Sequence, residues 1–543
     1  MSVDLEERAV HGHRAAAAQA GVAERWLAKL GIVPNWRKDE MNSAADGIDP
    51  DTGGPSFDPF MPFTNLGPVP SARGDKREFG GYAHNVDAGR LFAGTTAQTR
   101  GIYPFPAASG ARVRGVPFGR HLHTAEPIGL DPAQWLVDGL VTNTGIWVQG
   151  QPGVGKSTAA KRLLTGLVSY GFTGIVPGDI KDEYTAIIKE MGGDVFRIGR
   201  GLDSLNPLDL GPMRAAIQAA IGTQRAQLLS VSRGRRLDLL EALITIVGGN
   251  RLTSTERLLL ATAVDIAEDG HRRAGLPDPT IPDVVKVMEA GPDQLRKIMC
   301  AWTDVEYARE IREFRNTLVL LIEGPIAGMF DRPSSFSADA NSPALSLSLS
   351  AIEDDGDDVV AAAMLCSWTW SAGVIEGRQA AGERRNVFQI QDELWRALRS
   401  TPGLVEKSDR ITRLNRHRGV VSLQSTHSIT DLEALPTEAD RAKAKGMAAR
   451  NGVKLLGGLD NAEMDRLHAI TPFTSRERQM TVRWSAPPTW VPGQRHPGRG
   501  KYLIKSGSRM GLPVHVDLVP EELELYNTDG AFDGIKRGGH RAA

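Results

Sequence analysis

The chain is predicted to be an α/β protein with a phosphate-binding core and an all-helical segment inserted into it. Three features predict this. The stretch GQPGVGKST, Gly150 to Thr158, fits the pattern G-x-x-x-x-G-K-[ST] at every position. Short apolar strands alternate with helical periods on both sides of it. From residue 213 to about 330 the strand signals stop and helical spacing takes over.

The loop has the flanks its chemistry needs. GIWVQG, Gly145 to Gly150, reads as a short buried strand, and AAKRLLTGLV places Leu163, Leu164, Leu167 and Val168 at helical spacing. Gly150, Gly153 and Gly155 let the backbone curl so that N–H groups, including those at Val154 and Thr158, face phosphate oxygens. The following helix adds the positive end of its dipole. Lys156 supplies a point charge for the β- and γ-phosphates. Ser157 offers a hydroxyl to Mg²⁺, which prefers oxygen ligands.

Composition bounds the alternatives. Net charge is −1, so no global field draws the chain to nucleic acid or an anionic membrane, and any DNA contact must be local. The two cysteines, Cys300 and Cys366, form no C-x-x-C pair, which argues against a zinc site or a disulfide framework. The charged N-terminus MSVDLEERAVHGHR is not expected to be a secretory signal. Val359 to Ile375 carries no charge, but it is short for a membrane span and has small polar residues. It is expected to be a helix buried on the sheet, with no integral membrane segment in the chain.

The elements follow in order. Residues 1–120 are an N-terminal region, partly irregular, with one helix expected around Arg14 to Leu30. In the Pro- and Gly-rich stretch after it, Phe57, Phe60 and Phe63 either pack on the main domain or dock on a partner. Residues 121–212 form the first part of the core, with strands at GIWVQG, near Gly174 to Val176, and at DVFRIG. Residues 213–335 are the helical insertion, in which Thr253 to Glu256 reads as a helix start. Residues 336–520 resume the core with ALSLSLS, the apolar helix, NVFQIQ and GVVSLQ. Residues 521–543 form a C-terminal tail.

Two further motifs lie at strand ends. In NVFQIQDEL, Asp392 and Glu393 stand at the C-terminal end of a strand, where one carboxylate meets a metal and the next polarises water. A solvated acidic pair is the alternative. In RITRLNRHRGVVSLQSTHSITDL, a strand beside the one carrying Asp392 would bring Thr426 and His427 near the terminal phosphate. Arg413, Arg416 and Arg418 precede that strand. They are either a solvated basic face or the source of an arginine that reaches a neighbouring subunit's site, with Arg416 the first candidate.

GQPGVGKST, GDIKDEYTAIIKEMGGDVFRIG, SLNPLD, QDELW and NRHRGVVSLQSTHSITDL together resemble the assembly ATPases of type IV secretion and conjugation machines. These belong to the FtsK/HerA branch of P-loop motors. The D-x-K-x-E-Y element of Asp179, Lys181, Glu183 and Tyr184, then M-G-G and N-P, is the most specific part. The C-terminal GKYLIKSGSRMGLPVHVDLVPEEL resembles the group's terminal β-hairpin, and the similarity covers roughly residues 115–530.

The resemblance implies a RecA-like core with an inserted all-helical subdomain, ATP and Mg²⁺ as ligands, and a homo-oligomer, expected to be a hexamer. It implies Lys156 and Ser157 at the phosphates and metal, Asp392 and Glu393 at the metal and water, Arg416 acting in trans, and Asp179 and Glu183 beside the nucleotide. It also implies a cytoplasmic motor at the inner face of the membrane, with channel membrane proteins as partners and DNA as a candidate cargo. Two departures stand out. The group's Thr-Gln at the sensor strand is Thr426-His427 here, and the N-terminal region is short, without membrane helices. Two other functions stay open: a soluble FtsK/HerA-like DNA translocase, and a nucleotide-binding structural component with little turnover.

Overall fold

The computed structural model describes residues 114–527, apart from 340, 384, 401–404, 406–417, 436 and 488–495. The expected helix at Arg14 to Leu30, the segment with Phe57, Phe60 and Phe63, and Arg413 and Arg416 lie outside the described residues. The described chain falls into two compact units.

The smaller unit comprises residues 114–130 with Leu512–Val519. Strand β1 (Pro117–His121) pairs antiparallel with β2 (Pro127–Gly129) and with β11 (Leu512–His515). Phe118, Ile128 and Val514 are buried among these strands. Asp517 accepts from Arg120 Nε at 2.7 Å and pairs with His515 Nδ1 at 2.7 Å, tying the two chain segments together.

The larger unit is built on β3 (Ile146–Gln149), β4 (Thr173–Asp179), β5 (Asp194–Arg197), β6 (Ala344–Ser348), β7 (Val387–Gln391), β8 (Val420–Thr426), β9 (Val453–Leu456) and β10 (Lys501–Lys505). Their spatial order is β10-β9-β3-β8-β7-β4-β6-β5. Every pairing from β9 to β5 is parallel, and β10 runs antiparallel to β9. Every residue of β3, β4, β6, β7, β8 and β9 is buried. A parallel sheet covered on both faces explains why these strands read as continuous runs instead of alternating ones. The expected α/β architecture of the RecA-like P-loop type is therefore present.

Six helices stand between β5 and β6 in the chain: Met213–Ala219, Gly222–Gly248, Ser254–Ala274, Ile281–Ala290, Asp293–Met299 and Asp304–Glu323. Three of them start with capping boxes, Thr253 with Glu256, Thr280 with Asp283 and Thr303 with Glu306. The longest of the six runs from Gly222 to Gly248. Its first half exposes Leu229 and Val231 and buries few residues, so no apolar stripe marks it in the sequence. The apolar segment near Val359 is the helix Asp357–Ala380. By length and composition it is apolar enough to cross a membrane, yet 83% of its apolar window is buried. It packs on β4 and against Met213–Ala219 and Gly222–Gly248, as expected of a core helix.

Candidate active site

The order β3-β8-β7-β4 brings the C-terminal ends of four parallel strands side by side. This edge is where ligands bind in open α/β sheets. From β3 the chain enters the glycine loop and then the helix Lys156–Ser169. Gly153 and Gly155 have φ of 83° and 96°, a region that glycine enters without steric penalty. Val154 is buried between them, its Cγ2 packed on Gly150 and Gly457. Tyr502 of β10 donates its hydroxyl to Gly155 O, and Gly500 N donates to Val154 O, so the loop is pinned from behind.

Lys156 is the first residue of the helix. Its Nζ donates to Gly150 O at 2.7 Å and to His427 Nδ1 at 2.9 Å. Burial lowers its affinity for the proton, and the more distant Asp392 and Glu393 oppose that. Among the described residues, no carboxylate is in salt-bridge contact with this ammonium. A partly desolvated cation held only by carbonyls and an imidazole fits an anionic ligand such as a phosphate. Ser157 and Thr158 follow in the first helical turn, half-buried.

Asp392 and Glu393 stand immediately after β7. Asp392 accepts from the buried Tyr184 hydroxyl at 2.8 Å and from Glu393 N at 3.0 Å. Glu393 has φ 49°, left-handed backbone that a non-glycine residue rarely adopts. Its Oε1 accepts from Lys181 Nζ at 2.5 Å and from His427 Nε2 at 3.2 Å, and its Oε2 from Trp395 Nε1 at 2.6 Å. Burial pushes the Glu393 carboxyl up, but the bonds from His427 and Lys181 outweigh it and hold the group well below the usual carboxylate range.

Asp179 ends β4, fully buried, and accepts from Glu183 N at 2.9 Å and Tyr184 N at 2.8 Å. Burial pushes its carboxyl up to about 7, against those two backbone bonds. It shapes the turn that carries Lys181 and Tyr184 into the site. Glu183 faces the buried Lys161 at 3.6 Å. Thr426 closes β8 and is buried, and His427 follows it between Lys156 and Glu393.

The donor set fits magnesium as well. Ser157 and Asp392 present hard oxygen atoms, and Asp392 keeps acceptor capacity beyond its two bonds. Among the described residues, no three His, Cys, Asp or Glu side chains gather to hold a metal. Magnesium bound with a nucleotide needs only one or two protein ligands beside the phosphates.

Among solved structures, VirB4 of Thermoanaerobacter pseudethanolicus matches over 77% of this chain and 100% of its own, at 18% identity and a TM-score of 0.57. The chain has the VirB4 fold. The bacterial conjugative coupling protein TrwBdeltaN70, in its unbound monoclinic form, is 13% identical with a TM-score of 0.44, over 75% of this chain and 91% of its own. Plasmid coupling protein TrwB in complex with ADP and Mg²⁺ is 12% identical with a TM-score of 0.45, over the same shares. No protein-family model matches the chain, and no curated protein does.

On this VirB4-like fold, several site residues escape sequence reasoning. Lys181 and Tyr184 lie in the D-x-K-x-E-Y element, whose spacing does not reveal their contacts with Glu393 and Asp392, and Trp395 follows Glu393 by two positions. Glu463 is invisible to motif reading. It accepts from Gln149 of β3 at 2.8 Å, from Ile429 N at 2.7 Å and from Thr430 Oγ1 at 2.8 Å, fixing the chain just after His427. The glutamines that interrupt the strands also find their reason. Asn451 donates to Gln424 and Gln424 to Gln391, at 3.1 and 3.0 Å, in a buried polar ladder across β8 and β7.

Proposed function

We propose that this chain is an ATP-hydrolysing motor of a conjugative DNA-transfer or type IV secretion system. The observation that carries the reading is the meeting of Lys156 and Glu393 across His427, at the end of a glycine loop on a VirB4-like fold. Magnesium, when bound, supplies charge neutralisation at the phosphates. Lys156 and the loop N–H groups of Gly150, Gly153, Val154, Gly155 and Thr158 bind the phosphates. Ser157 and Asp392 hold the metal. Glu393 orients a water and accepts its proton, and His427 contacts the terminal phosphate. Asp179 and Glu183 support the site from beneath, and Arg416 serves a neighbouring subunit. The working form is a homo-hexamer in the cytoplasm, at the inner face of the membrane, with channel membrane proteins as partners and DNA as cargo.

The deciding experiment is steady-state ATP hydrolysis by purified protein, with and without DNA, beside Lys156→Ala and Glu393→Gln. The motor reading expects turnover that both substitutions abolish. Turnover stimulated by DNA supports a translocating role, and turnover indifferent to DNA supports a role in channel assembly. Nucleotide binding without turnover in any condition would overturn the motor in favour of a structural component.

A further inference from the structure

Glu393 is engaged by three donors, and one of them also engages Lys156. Lys181 Nζ and His427 Nε2 share Oε1, while Trp395 Nε1 takes Oε2. A glutamate that takes a proton from water needs an oxygen lone pair facing that water. Here both lone pairs of Oε1 are taken within the chain, one of them by a full ammonium charge, and Trp395 takes one of the two on Oε2. Lys156 is committed as well. An ammonium only donates, so His427 Nδ1 accepts from it and the ring proton on Nε2 goes to Glu393. One imidazole therefore connects the phosphate-binding cation to the water-activating carboxylate.

We propose that Lys181 and Trp395 are positioning residues that hold Glu393 idle, and that His427 links this hold to Lys156, so that a phosphate at Lys156 releases it. The inference rests on the reading of the chain as an ATPase. An anionic phosphate oxygen is a stronger acceptor for an ammonium than a neutral imidazole nitrogen. When Lys156 turns to the phosphate, His427 Nδ1 loses its donor and the ring is free to leave Oε1. The surroundings permit that movement at His427 and not at its chain neighbours. Its side chain is 33% exposed, whereas Thr426 before it is buried in β8. Ser428 after it caps the next helix with Asp431, and Glu463 holds Ile429 N. Lys181 is 43% exposed and can swing away without opening the core. Glu393 itself sits in left-handed backbone, a conformation that persists only where surrounding contacts enforce it.

The test uses the full chain with ¹⁵N-labelled tryptophan indoles, the Trp395 signal being assigned by Trp395→Phe. Magnesium with a non-hydrolysable ATP analogue is the probe, and its binding is followed separately by calorimetry. The expected result is a shift of the Trp395 N–H signal on binding in the wild type, and no such shift in His427→Ala at analogue concentrations that saturate it by calorimetry. Should His427→Ala fail to fold by circular dichroism, His427→Leu carries the same comparison. Equal shifts in wild type and variant would overturn the link. Binding without any Trp395 shift in the wild type would overturn the whole proposal and leave the ATPase reading standing, whereas absence of binding would overturn both. In steady-state assays Lys181→Met is expected to raise kcat several-fold at unchanged KM. A lowered kcat would mean that Lys181 aids the reaction, and would overturn the idle hold.

Discussion

Glu393 and Lys156 illustrate how one side chain's role depends on its nearest hydrogen-bond partners. Glu393→Gln keeps the size and the acceptor oxygen but loses the base. It is expected to lower turnover by about 10²–10⁴-fold, the usual worth of a positioned acid or base. Nucleotide affinity measured by calorimetry should stay near that of the wild type, whereas Lys156→Ala should lose binding along with turnover. A second residue-scale prediction concerns Lys454, buried in β9, whose ammonium, among the described residues, donates only to carbonyls such as Asn451 O at 3.2 Å. Burial lowers its pKa to about 8 from 10.5. Between those values the unfolded chain holds the proton and the folded chain does not. This group's contribution to stability is therefore complete above pH 10.5 and is lost as pH falls through 8. Lys454→Met should raise the melting temperature at pH 7, and the gain should shrink as pH rises above 8. A gain independent of pH would contradict this account.

At the scale of elements, the loop and the helix starts carry separable energies. A Cβ on Gly155 would meet the Tyr502 hydroxyl at 2.9 Å while also requiring φ of 96° from an L-residue. Gly155→Ala is expected to cost nucleotide affinity about 5- to 30-fold, the equivalent of the roughly 1–2 kcal/mol per residue that left-handed backbone costs. Calorimetry on the folded variant checks it. Thr253 caps the helix Ser254–Ala274 on the exposed side of the insertion, accepting from Glu256 N at 3.3 Å. Thr253→Ala should destabilise by about 1 kcal/mol in denaturant titration and leave hydrolysis unchanged, because the cap belongs to the insertion and makes no contact with the site residues. These elements differ in legibility for a physical reason. The capping box lies within four consecutive residues and can be read directly. The start of Gly222–Gly248 cannot, because its exposed half lacks the apolar stripe that marks a helix in sequence.

For the whole molecule, the proposed motor requires copies of the chain to assemble. Glu393→Gln, which would trap bound nucleotide, is expected to sediment as a hexamer with Mg²⁺ and ATP and as smaller species without them. Sedimentation velocity distinguishes these outcomes, and a monomer under both conditions would argue against the ring. The core of the larger unit supplies a rigid base for such work, since β3, β4, β6, β7, β8 and β9 are buried throughout and the Asp357–Ala380 helix covers β4. That burial also explains why the helix carrying the uncharged stretch Val359 to Ile375 behaves here as core.

The phosphate loop, the strand before it and the helix after it could be read from the chain because their defining contacts are local. The pattern occupies nine consecutive residues, and the glycine requirement follows from backbone sterics alone. The acidic pair was legible as far as its place at a strand end, with a solvated pair as its rival. Only the tertiary structure shows that the pair is engaged within the chain instead of solvated, with β8 set between β3 and β7. That order brings His427 to Lys156 across 271 positions, and Lys181 to Glu393 across 212. Strand order depends on how the two faces of the sheet are covered, a global packing solution that no local propensity encodes. His427 could therefore be named in advance, while its partnership with Glu393 and the parts played by Lys181 and Trp395 had to wait for the fold.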